Sequence, residues 1–191
     1  MNLYLALVHI DVLMVSLISV SAVSENNVIG VGDELPWHLP EDLAHFQSTI
    51  RNRPVVVGRN THKNLPELIH RLPSHTHVLT TQEEYAQENS SVSIHSSVEE
   101  LVTQLESKYS ESQSVYVIGG GMVYESLFEY TDELIISEVR GEVSAEESEE
   151  IVYFPDIDME NWTRTPVMFT DEFTVSYYER VDTLGEYFLD S

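Results

Sequence analysis

The sequence predicts an α/β fold of three layers (αβα), in which helices cover both faces of a mostly parallel central sheet and a C-terminal antiparallel hairpin extends that sheet. Short β-favouring apolar runs alternate with longer runs of helical periodicity along most of the chain. This alternation is typical of parallel strands joined by crossover helices. The end of the chain departs from it, because residues 162–170 and 173–181 both alternate polar and apolar side chains, as the strands of a hairpin do.

Two helices have clear start signals. One is predicted over 40–52, because Pro40 suits the first helical position and Leu43, Phe46 and Ile50 recur on one face. Another is predicted over 97–109, where Ser97 and Glu100 have the spacing of a capping box. The remaining predicted elements are strands at 15–23, 53–58, 77–81, 92–95, 114–121 and 132–143, and short helices at 60–69, interrupted at Pro66, and at 122–130.

Composition limits the classes of function. The chain has 191 residues, enough for one domain with a full core, and 42% of them are hydrophobic. It carries 33 acidic residues against 9 basic ones, a net charge of −24. This excess excludes a broad basic face for nucleic acid or an anionic membrane. The chain has no cysteine, which excludes disulfides, thiolate metal sites and a cysteine nucleophile.

The dispersed acidic residues indicate a strongly hydrated surface adapted to high salt. The screening length falls to about 3 Å at 1 M salt, so repulsion between like charges is largely removed there. We therefore expect the fold to be lost below roughly molar salt.

Residues 1–13 are apolar, but they lack the basic start of a signal peptide, contain Asp11 and are too short to cross a bilayer. We interpret them as an added extension, or as the result of a start codon placed too early, with Met14 as the working initiator. Residues 14–191 then form a single domain, which we expect to be a cytoplasmic monomer.

The glycine triplet Gly119, Gly120 and Gly121 follows an apolar strand and opens a helix. Glycines at such a turn allow positive φ and let a diphosphate approach the amides at the positive end of a helix. The spacing matches neither the dinucleotide fingerprint nor the P-loop. From the residues alone, the triplet is either a tight turn or a cradle for a phosphorylated ligand.

Two further strand ends carry side chains that suit a phosphate. Gly58 ends a strand, Arg59 follows it and Thr61 lies at a helix start, while Thr80 and Thr81 end another strand. Ligands of parallel sheets bind outside the carboxyl ends of the strands, and an arginine fork suits a phosphate monoester. The set suggests a nucleotide that carries an extra phosphate.

The stretch 34–46 places Trp37 in a proline-bounded loop and Asp42 in the first turn of the helix after it. An acid at that position can be a solvated partner of the helix dipole. Alternatively, Asp42 lies one turn before Phe46 on the side that faces the sheet. A carboxylate held there in apolar surroundings can bind a flat, amidine-like heterocycle through paired hydrogen bonds. The histidine pair nearest in sequence, His75 and His77, is interpreted as part of a strand edge, and no metal site is predicted.

Taken together, these segments resemble dihydrofolate reductases. The stretches "SLISVSAVSENNVIG", "LPWHLPEDLAHF", "RPVVVGRNT", "YVIGGGMVYESLF" and "FPD" occur in the order and spacing of that family, from about Met14 to the end of the chain. The resemblance implies reduction of 7,8-dihydrofolate by NADPH to tetrahydrofolate for one-carbon metabolism, and competition by methotrexate. Hydride would pass from nicotinamide C4 to pterin C6, and N5 would receive a proton.

For the substrate, the resemblance implies that Asp42 grips the 2-amino and N3 edge of the pterin and stabilises its protonated form. Trp37 would position the water that delivers the proton, and Ser137 would hydrogen-bond the carboxylate. The carbonyls of Val20 and Ile118 would line the pterin pocket. The remaining implied contacts are the apolar walls Leu43, Phe46, Leu65 and Leu72, together with Ala22, which would contact both substrate and cofactor.

For NADPH, the resemblance implies that Ala22 and Ile29 contact the nicotinamide carboxamide. Arg59 and Thr81 would bind the 2′-phosphate, and Thr61 with the amides of 119–124 would hold the diphosphate. The full implied cofactor set is Ala22, Ile29, Gly58, Arg59, Asn60, Thr61, Thr80, Thr81, Gly119, Gly120, Gly121, Met122, Val123 and Tyr124.

Three departures from the family pattern bear on these roles. The arginine that clamps the α-carboxylate of folate is missing, so either His75 or Arg71 replaces it or the glutamate tail is held weakly. Met122 stands where a basic residue often follows the glycines. The segment "SAEESEEIVYFPD" replaces the Gly-Asp-Thr that usually precedes "FPD" and interacts with the Trp37 loop.

Two other functions fit part of the sequence. A related reductase acting on a ribosylated pyrimidine or another pterin would keep the cofactor segments. A nucleotide-binding or salt-adapted structural domain would need only Arg59 and the glycines. The joint presence of Trp37, Asp42, Phe46 and Ser137 favours dihydrofolate.

Overall fold

The computed structural model describes residues 15–81, 85, 91–110, 112–146 and 148–181. Residues 1–13, interpreted above as an extension, lie outside the described residues. The strands are β1 (Ser16–Ser24), β2 (Val28–Val31), β3 (Pro54–Gly58), β4 (His75–Leu79), β5 (Val92–His95), β6 (Ser114–Val117), β7 (Glu133–Val139), β8 (Ile151–Tyr153), β9 (Trp162–Phe169) and β10 (Phe173–Arg180). The helices are α1 (Pro40–Ile50), α2 (Arg59–Asn64), α3 (Glu67–His70), α4 (Val98–Lys108) and α5 (Gly121–Leu127), with a 3₁₀ turn at Phe128–Tyr130.

Eight strands form one sheet in the order β5-β4-β3-β6-β1-β7-β10-β9. The first six are parallel to one another, whereas β10 is antiparallel to both β7 and β9. This arrangement confirms the predicted α/β class, the mostly parallel sheet and the C-terminal hairpin at its edge. β2 and β8 pair separately as a two-stranded antiparallel sheet.

Each face of the large sheet is covered by its own apolar cluster, because successive side chains of a strand point to opposite faces. On β1, Leu17 enters one cluster while Ile18 and Val20 enter the other. We call them the α4-face cluster, which includes Leu101 and Leu105 of α4, and the α1-face cluster, which takes its name from α1. The α1-face cluster includes Val20, Leu39, Ile50, Val55, Val57, Ile69, Leu72, Val78, Tyr116 and Ile118. The two clusters are the interfaces of a three-layer αβα structure.

The predicted helix starts are confirmed. α1 begins at Pro40 and has two acids in its first turn. At the start of α4 the Ser97 hydroxyl accepts a hydrogen bond from the amide of Glu100. The Glu100 carboxylate in turn accepts from the amide of Ser96, one residue earlier than in the usual capping box. None of the described helices is long and apolar enough to cross a membrane.

The strand that forms β4 was predicted with the wrong bounds and the wrong place in the sheet. The strand predicted at 77–81 runs from His75 to Leu79, because it pairs with β3 from its first residue onward. It lies between β3 and β5 instead of at an edge, and His77 is fully buried. The pairing of β2 with β8 was not predicted, since each strand has too few residues for a visible alternation.

Candidate active site

The candidate site lies at the carboxyl ends of the parallel strands, beside the first turn of α1. Asp42 projects from that turn towards β7, where Ser137 is 3% exposed. Ser137 is paired in register with Ala22 of β1. The elements that carry Asp42, Ser137 and Ala22 therefore meet at the centre of the sheet.

The pKa of the Asp42 carboxyl is shifted from its usual value. Burial raises its pKa above the usual value of an aspartate, while the Ser137 hydrogen bond and the nearby His45 offset part of that rise. Removal of water favours the neutral acid, and the Ser137 hydroxyl favours the charged form. A carboxyl poised in this way can form charge-assisted hydrogen bonds with a donor pair on a ligand.

Most of the predicted apolar wall comes together around Asp42. Val20, Leu72 and Ile118 are buried in the α1-face cluster, and the partly buried Ala22, Trp37, Phe46 and Leu65 pack against it.

Leu43 is the exception. It was predicted to share the sheet-facing side of α1, but its side chain is 46% exposed and lies outside the cluster.

Trp37 packs by its ring against the α1-face cluster. Its indole Nε1 is buried, with no hydrogen-bond partner among the residues that the structure describes. A buried donor without a partner is unfavourable by about 1–3 kcal/mol, so such a group is normally satisfied by water or a ligand atom. The loop before α1 thus holds a buried hydrogen-bond donor whose partner the described residues do not supply.

The glycine turn packs against the start of α2. The amide of Gly58 donates a 2.6 Å hydrogen bond to the carbonyl of Gly119, whose φ of +104° favours glycine. A Cβ on Gly120 would lie 2.8 Å from Thr61 Oγ1, and one on Gly58 would lie 3.0 Å from Val123. The close approach leaves backbone rather than side chains at this point, as a phosphate cradle requires.

The amides of this turn are only partly available. Those of Val123 and Tyr124 donate to the carbonyl of Gly120 at 2.9 and 3.0 Å, because they close the first turn of α5. The prediction that all amides of 119–124 hold a diphosphate is therefore wrong for these two.

Tyr124 has a role that was not predicted. Its buried hydroxyl donates a 2.6 Å hydrogen bond to the carbonyl of Val20, and burial raises the pKa of the phenol strongly. This bond joins α5 to the central strand directly beneath the site. It spans 104 positions in sequence, so no local pattern indicates it.

The predicted phosphate-binding side chains lie at neighbouring strand ends. Arg59 begins α2, is partly buried and makes no ion pair with the described residues. Thr80 and Thr81 follow the end of β4 rather than ending the strand, and the Thr80 amide donates to the carbonyl of His95 at 2.9 Å. Asn60 is exposed on α2, and Met122 is 86% exposed on α5.

Ile29 and Ala22, which were both predicted to contact the nicotinamide carboxamide, pack in different clusters. The side chain of Ile29 is 8% exposed in β2 and belongs to the α4-face cluster, whereas Ala22 packs on the α1 face. Ile29 thus shares a cluster with Val123 and Tyr124 of α5.

The segment that departs from Gly-Asp-Thr is tied to the loop that leads to Trp37. Its end forms β8, which pairs with β2, and the amide of Gly32 donates to the carbonyl of Glu150 at 2.7 Å. Asn27 Nδ2 also donates to Asp156 at 2.7 Å. These bonds connect the two loops without the usual residues.

Neither candidate for the missing arginine is fixed in the site. His75 donates or accepts at Nε2 with Ser93 Oγ at 2.8 Å, and its ring lies 4.7 Å from that of His77. His75 therefore points towards the α4 face, away from Leu72. Arg71 forms an ion pair with Glu67 on the surface, where both side chains are more than two-thirds exposed.

No group of three or more His, Asp or Glu side chains within the described ranges could hold a metal ion.

Known proteins resemble this chain in sequence and in fold. The sequence model of the dihydrofolate reductase family matches residues 15–180. Dihydrofolate reductase HdrB of Haloferax volcanii is 34% identical over 169 residues, covering 87% of this chain and 84% of the relative. Dihydrofolate reductase of Mycobacterium tuberculosis is 36% identical over 127 residues, covering 66% and 71%.

A solved structure agrees with the sequence relatives. Dihydrofolate reductase from Enterococcus faecalis, complexed with NADP(H) and RAB-propyl, has a TM-score of 0.68 and 29% identity, and the match covers 87% of this chain and 97% of that one. A family match over most of the chain and a shared fold lead to one conclusion. The chain belongs to the dihydrofolate reductase family.

Proposed function

We propose that Asp42 and Ser137 hold the pterin of dihydrofolate while the glycine turn and the start of α2 hold NADPH beside it. As a member of its family, the chain is an NADPH-dependent oxidoreductase that converts 7,8-dihydrofolate to tetrahydrofolate. The observation that carries the residue assignment is the partly buried Asp42 carboxyl, which has a raised pKa and a hydrogen bond to Ser137.

The pterin presents a 2-amino group and N3 as adjacent donors, which match the two oxygens of one carboxylate. Asp42 can accept both hydrogen bonds, and charge-assisted bonds of this kind are about twice as strong as neutral ones. Val20, Ile118 and Phe46 would then contact the flat ring, so that its position is fixed by one polar anchor and an apolar slot.

When bound, NADPH supplies the hydride that reaches C6 of the pterin. The task of the protein residues is to stack the two rings at reacting distance and to exclude bulk water. N5 lies away from the edge that Asp42 grips, so Asp42 acts by orienting the ring and favouring its protonated form. The unpartnered Trp37 Nε1 can fix the water that delivers the proton.

The fit of NADPH rests on the glycine turn, whose backbone packs against Thr61 without an intervening side chain, and on the absence of an ion pair at Arg59 within the described residues. Thr61 and the amides of 120–122 would receive the diphosphate. Arg59, Thr80 and Thr81 would receive the 2′-phosphate. Gly58, Asn60 and Met122 would border the bound cofactor.

The glutamate tail of folate is assigned to Arg71. Its ion pair with Glu67 is exposed and therefore weak, so a carboxylate of the substrate can replace Glu67. Replacing Glu67 with Gln should then lower KM for dihydrofolate, and Arg71→Gln should raise it, while His75→Gln should leave it unchanged. We also propose a cytoplasmic monomer that does not bind nucleic acid.

The test is NADPH oxidation with dihydrofolate in several-molar KCl, comparing wild type, Asp42→Asn and Glu41→Gln. Glu41 is the matched control, because it is an exposed acid in the same helical turn. Loss of turnover in Asp42→Asn alone, with methotrexate competing in the wild type, supports the assignment. Equal rates in the two variants would remove Asp42 from its role.

A further inference from the structure

We propose that His77, His95 and Tyr109 form a row of hydrogen bonds that positions Thr80 and Thr81 for the 2′-phosphate of the cofactor. The inference rests on the cofactor role proposed for these threonines. The row lies on the α4 face of the sheet, opposite the pterin side, and none of its side chains touches the substrate wall described above.

The row is continuous and buried. His77 Nδ1 lies 2.9 Å from His95 Nε2, and His77 Nε2 lies 2.9 Å from the hydroxyl of Tyr109. His77 is 0% exposed and His95 is 1% exposed. The two imidazoles are stacked, with their centroids 5.1 Å apart. The strands β4 and β5 and the end of α4 are therefore joined by side chains as well as by backbone.

Burial lowers the pKa of both imidazoles of the row. In the neutral row His77 donates at one ring nitrogen and accepts at the other, so each of its two contacts is made by one proton. Burial lowers the pKa of His77 to about 2, and His75, His95 and Lys108 add to that effect. Glu100 is the acid that faces the row, and it acts on His95 rather than on His77. Burial, reinforced by His75, His95 and Lys108, thus keeps the central imidazole uncharged.

The row is connected to the threonines through His95. Leu79 and His95 are the last paired residues of β4 and β5, and the Thr80 amide donates to the His95 carbonyl at 2.9 Å. The residue after His95, Ser96, is held by the Glu100 carboxylate. His95 is thus fixed by its side chain, its carbonyl and the following residue, and Thr80 is fixed through it.

The hydrogen bonds of the row fix the register of β5 more strictly than apolar packing would. β5 has four residues and lies at the edge of the sheet, and short edge strands specify their register weakly. A slip of one residue would turn His95 to the other face and break its bond to His77. The row therefore fixes the register of β5, and with it the position of Thr80.

The test compares KM for NADPH with KM for NADH, since these cofactors differ only in the 2′-phosphate. Tyr109→Phe removes one hydrogen bond of the row without changing the ring. If the whole free energy of that bond is transmitted to the phosphate site, KM for NADPH rises by roughly 2- to 10-fold. KM for NADH and kcat should stay within about twofold if only the phosphate contact is displaced. His95→Gln, whose amide can still meet His77, should be affected less than His95→Leu.

Two further variants separate the possible outcomes. Ser93→Ala removes the hydrogen bond to His75 on the same strand pair but outside the row, and it should not change the KM ratio. Arg59→Ala tests the proposed phosphate site itself, and it should raise KM for NADPH alone. If Arg59→Ala changes the ratio but Tyr109→Phe and His95→Leu only lower the melting temperature, the row is merely structural and the inference is overturned. If Arg59→Ala does not change the KM ratio either, the proposed 2′-phosphate site is wrong.

Discussion

Thr61 Oγ1 lies 2.8 Å from the point that a Cβ on Gly120 would occupy, so the glycine turn and α2 meet with no room for a side chain. We expect Gly120→Ala to push the two segments apart. Overpacking of this kind is unfavourable by about 1–3 kcal/mol, which corresponds to roughly a 5- to 150-fold rise in Kd for NADPH if it acts on the bound form. Fluorescence titration with NADPH measures this change in Kd.

Gly30→Ala is the control for that experiment. A Cβ there would meet the Glu34 carbonyl at 3.4 Å and Val152 at 3.8 Å, which are ordinary contacts. Equal affinities of the two variants for NADPH would contradict the cradle at Gly120.

Asp42→Asn should lose activity and gain stability. Two charge-assisted hydrogen bonds to the pterin are worth about 3–5 kcal/mol together, so kcat/KM should fall by roughly 10²–10³-fold near neutral pH and less at low pH. The folded-state pKa of Asp42 is raised, so the folded protein binds more protons and its ionised form weakens the fold as pH rises above the usual pKa of an aspartate. The melting temperature of Asp42→Asn should therefore exceed that of wild type at pH 7.

Ser137→Ala refines this prediction. Its hydroxyl favours the charged form of Asp42, so its removal should raise the pKa of the carboxyl further and move the acid limb of the kcat/KM profile to higher pH. A profile that moves to lower pH, or does not move, would show that Ser137 does not act on Asp42.

Much of the fold follows from local pattern, and the exceptions are long-range. The alternation of strands and helices predicted the parallel sheet and its hairpin. β2 and β8 were missed because they have four and three residues, and their partners, such as Val28 and Tyr153, are far apart in sequence. A strand this short gains its structure from its partner and not from its own periodicity.

In the site, the family motifs located Asp42 and Ser137, and the structure brings them together. The orientation of His75 was not predictable, because the predicted strand began at residue 77 and left its side undefined. The His77–His95 pair shows the same limit: two imidazoles 18 residues apart become neighbours only when β4 and β5 pair.

The histidines of the α4 face predict a loss of stability in mild acid. The pKa of His77 is about 2 in the folded protein and about 6.5 when unfolded, so the unfolded chain binds the extra proton. The contribution of His77 to the free energy of unfolding is therefore fully present above pH 6.5. Below that pH it falls by about 1.4 kcal/mol per pH unit. The same direction holds for His75 and His95, whose pKa values burial also lowers.

Urea unfolding between pH 7.5 and about 5 at constant KCl measures this slope. His77→Gln should be less stable at pH 7.5 but should lose stability less steeply towards acid, by up to one proton. His38→Gln, at an exposed histidine, is the control and should keep the slope of wild type. An unchanged slope in His77→Gln would contradict the assignment.

We expect the stability of the fold to depend on salt, because few of the described acidic side chains form an ion pair. The chain has a net charge of −24, and its described residues form two ion pairs, Arg71–Glu67 and Arg164–Glu138. Most carboxylates thus repel one another, and only screening by salt relieves them. We expect circular dichroism to show unfolding as KCl falls below roughly the molar range, where the screening length exceeds about 3 Å.

Charge variants distinguish screening from other effects of salt. Replacing the exposed Glu142, Glu146 and Glu150 with Gln should lower the KCl concentration at half-unfolding, while the same positions changed to Asp should leave it unaltered. Arg164→Met should raise it, because it breaks an ion pair and leaves Glu138 partly buried without its partner. If the Gln and Asp sets behave alike, the requirement for salt arises from hydration or ion binding at carboxylates and not from repulsion between them.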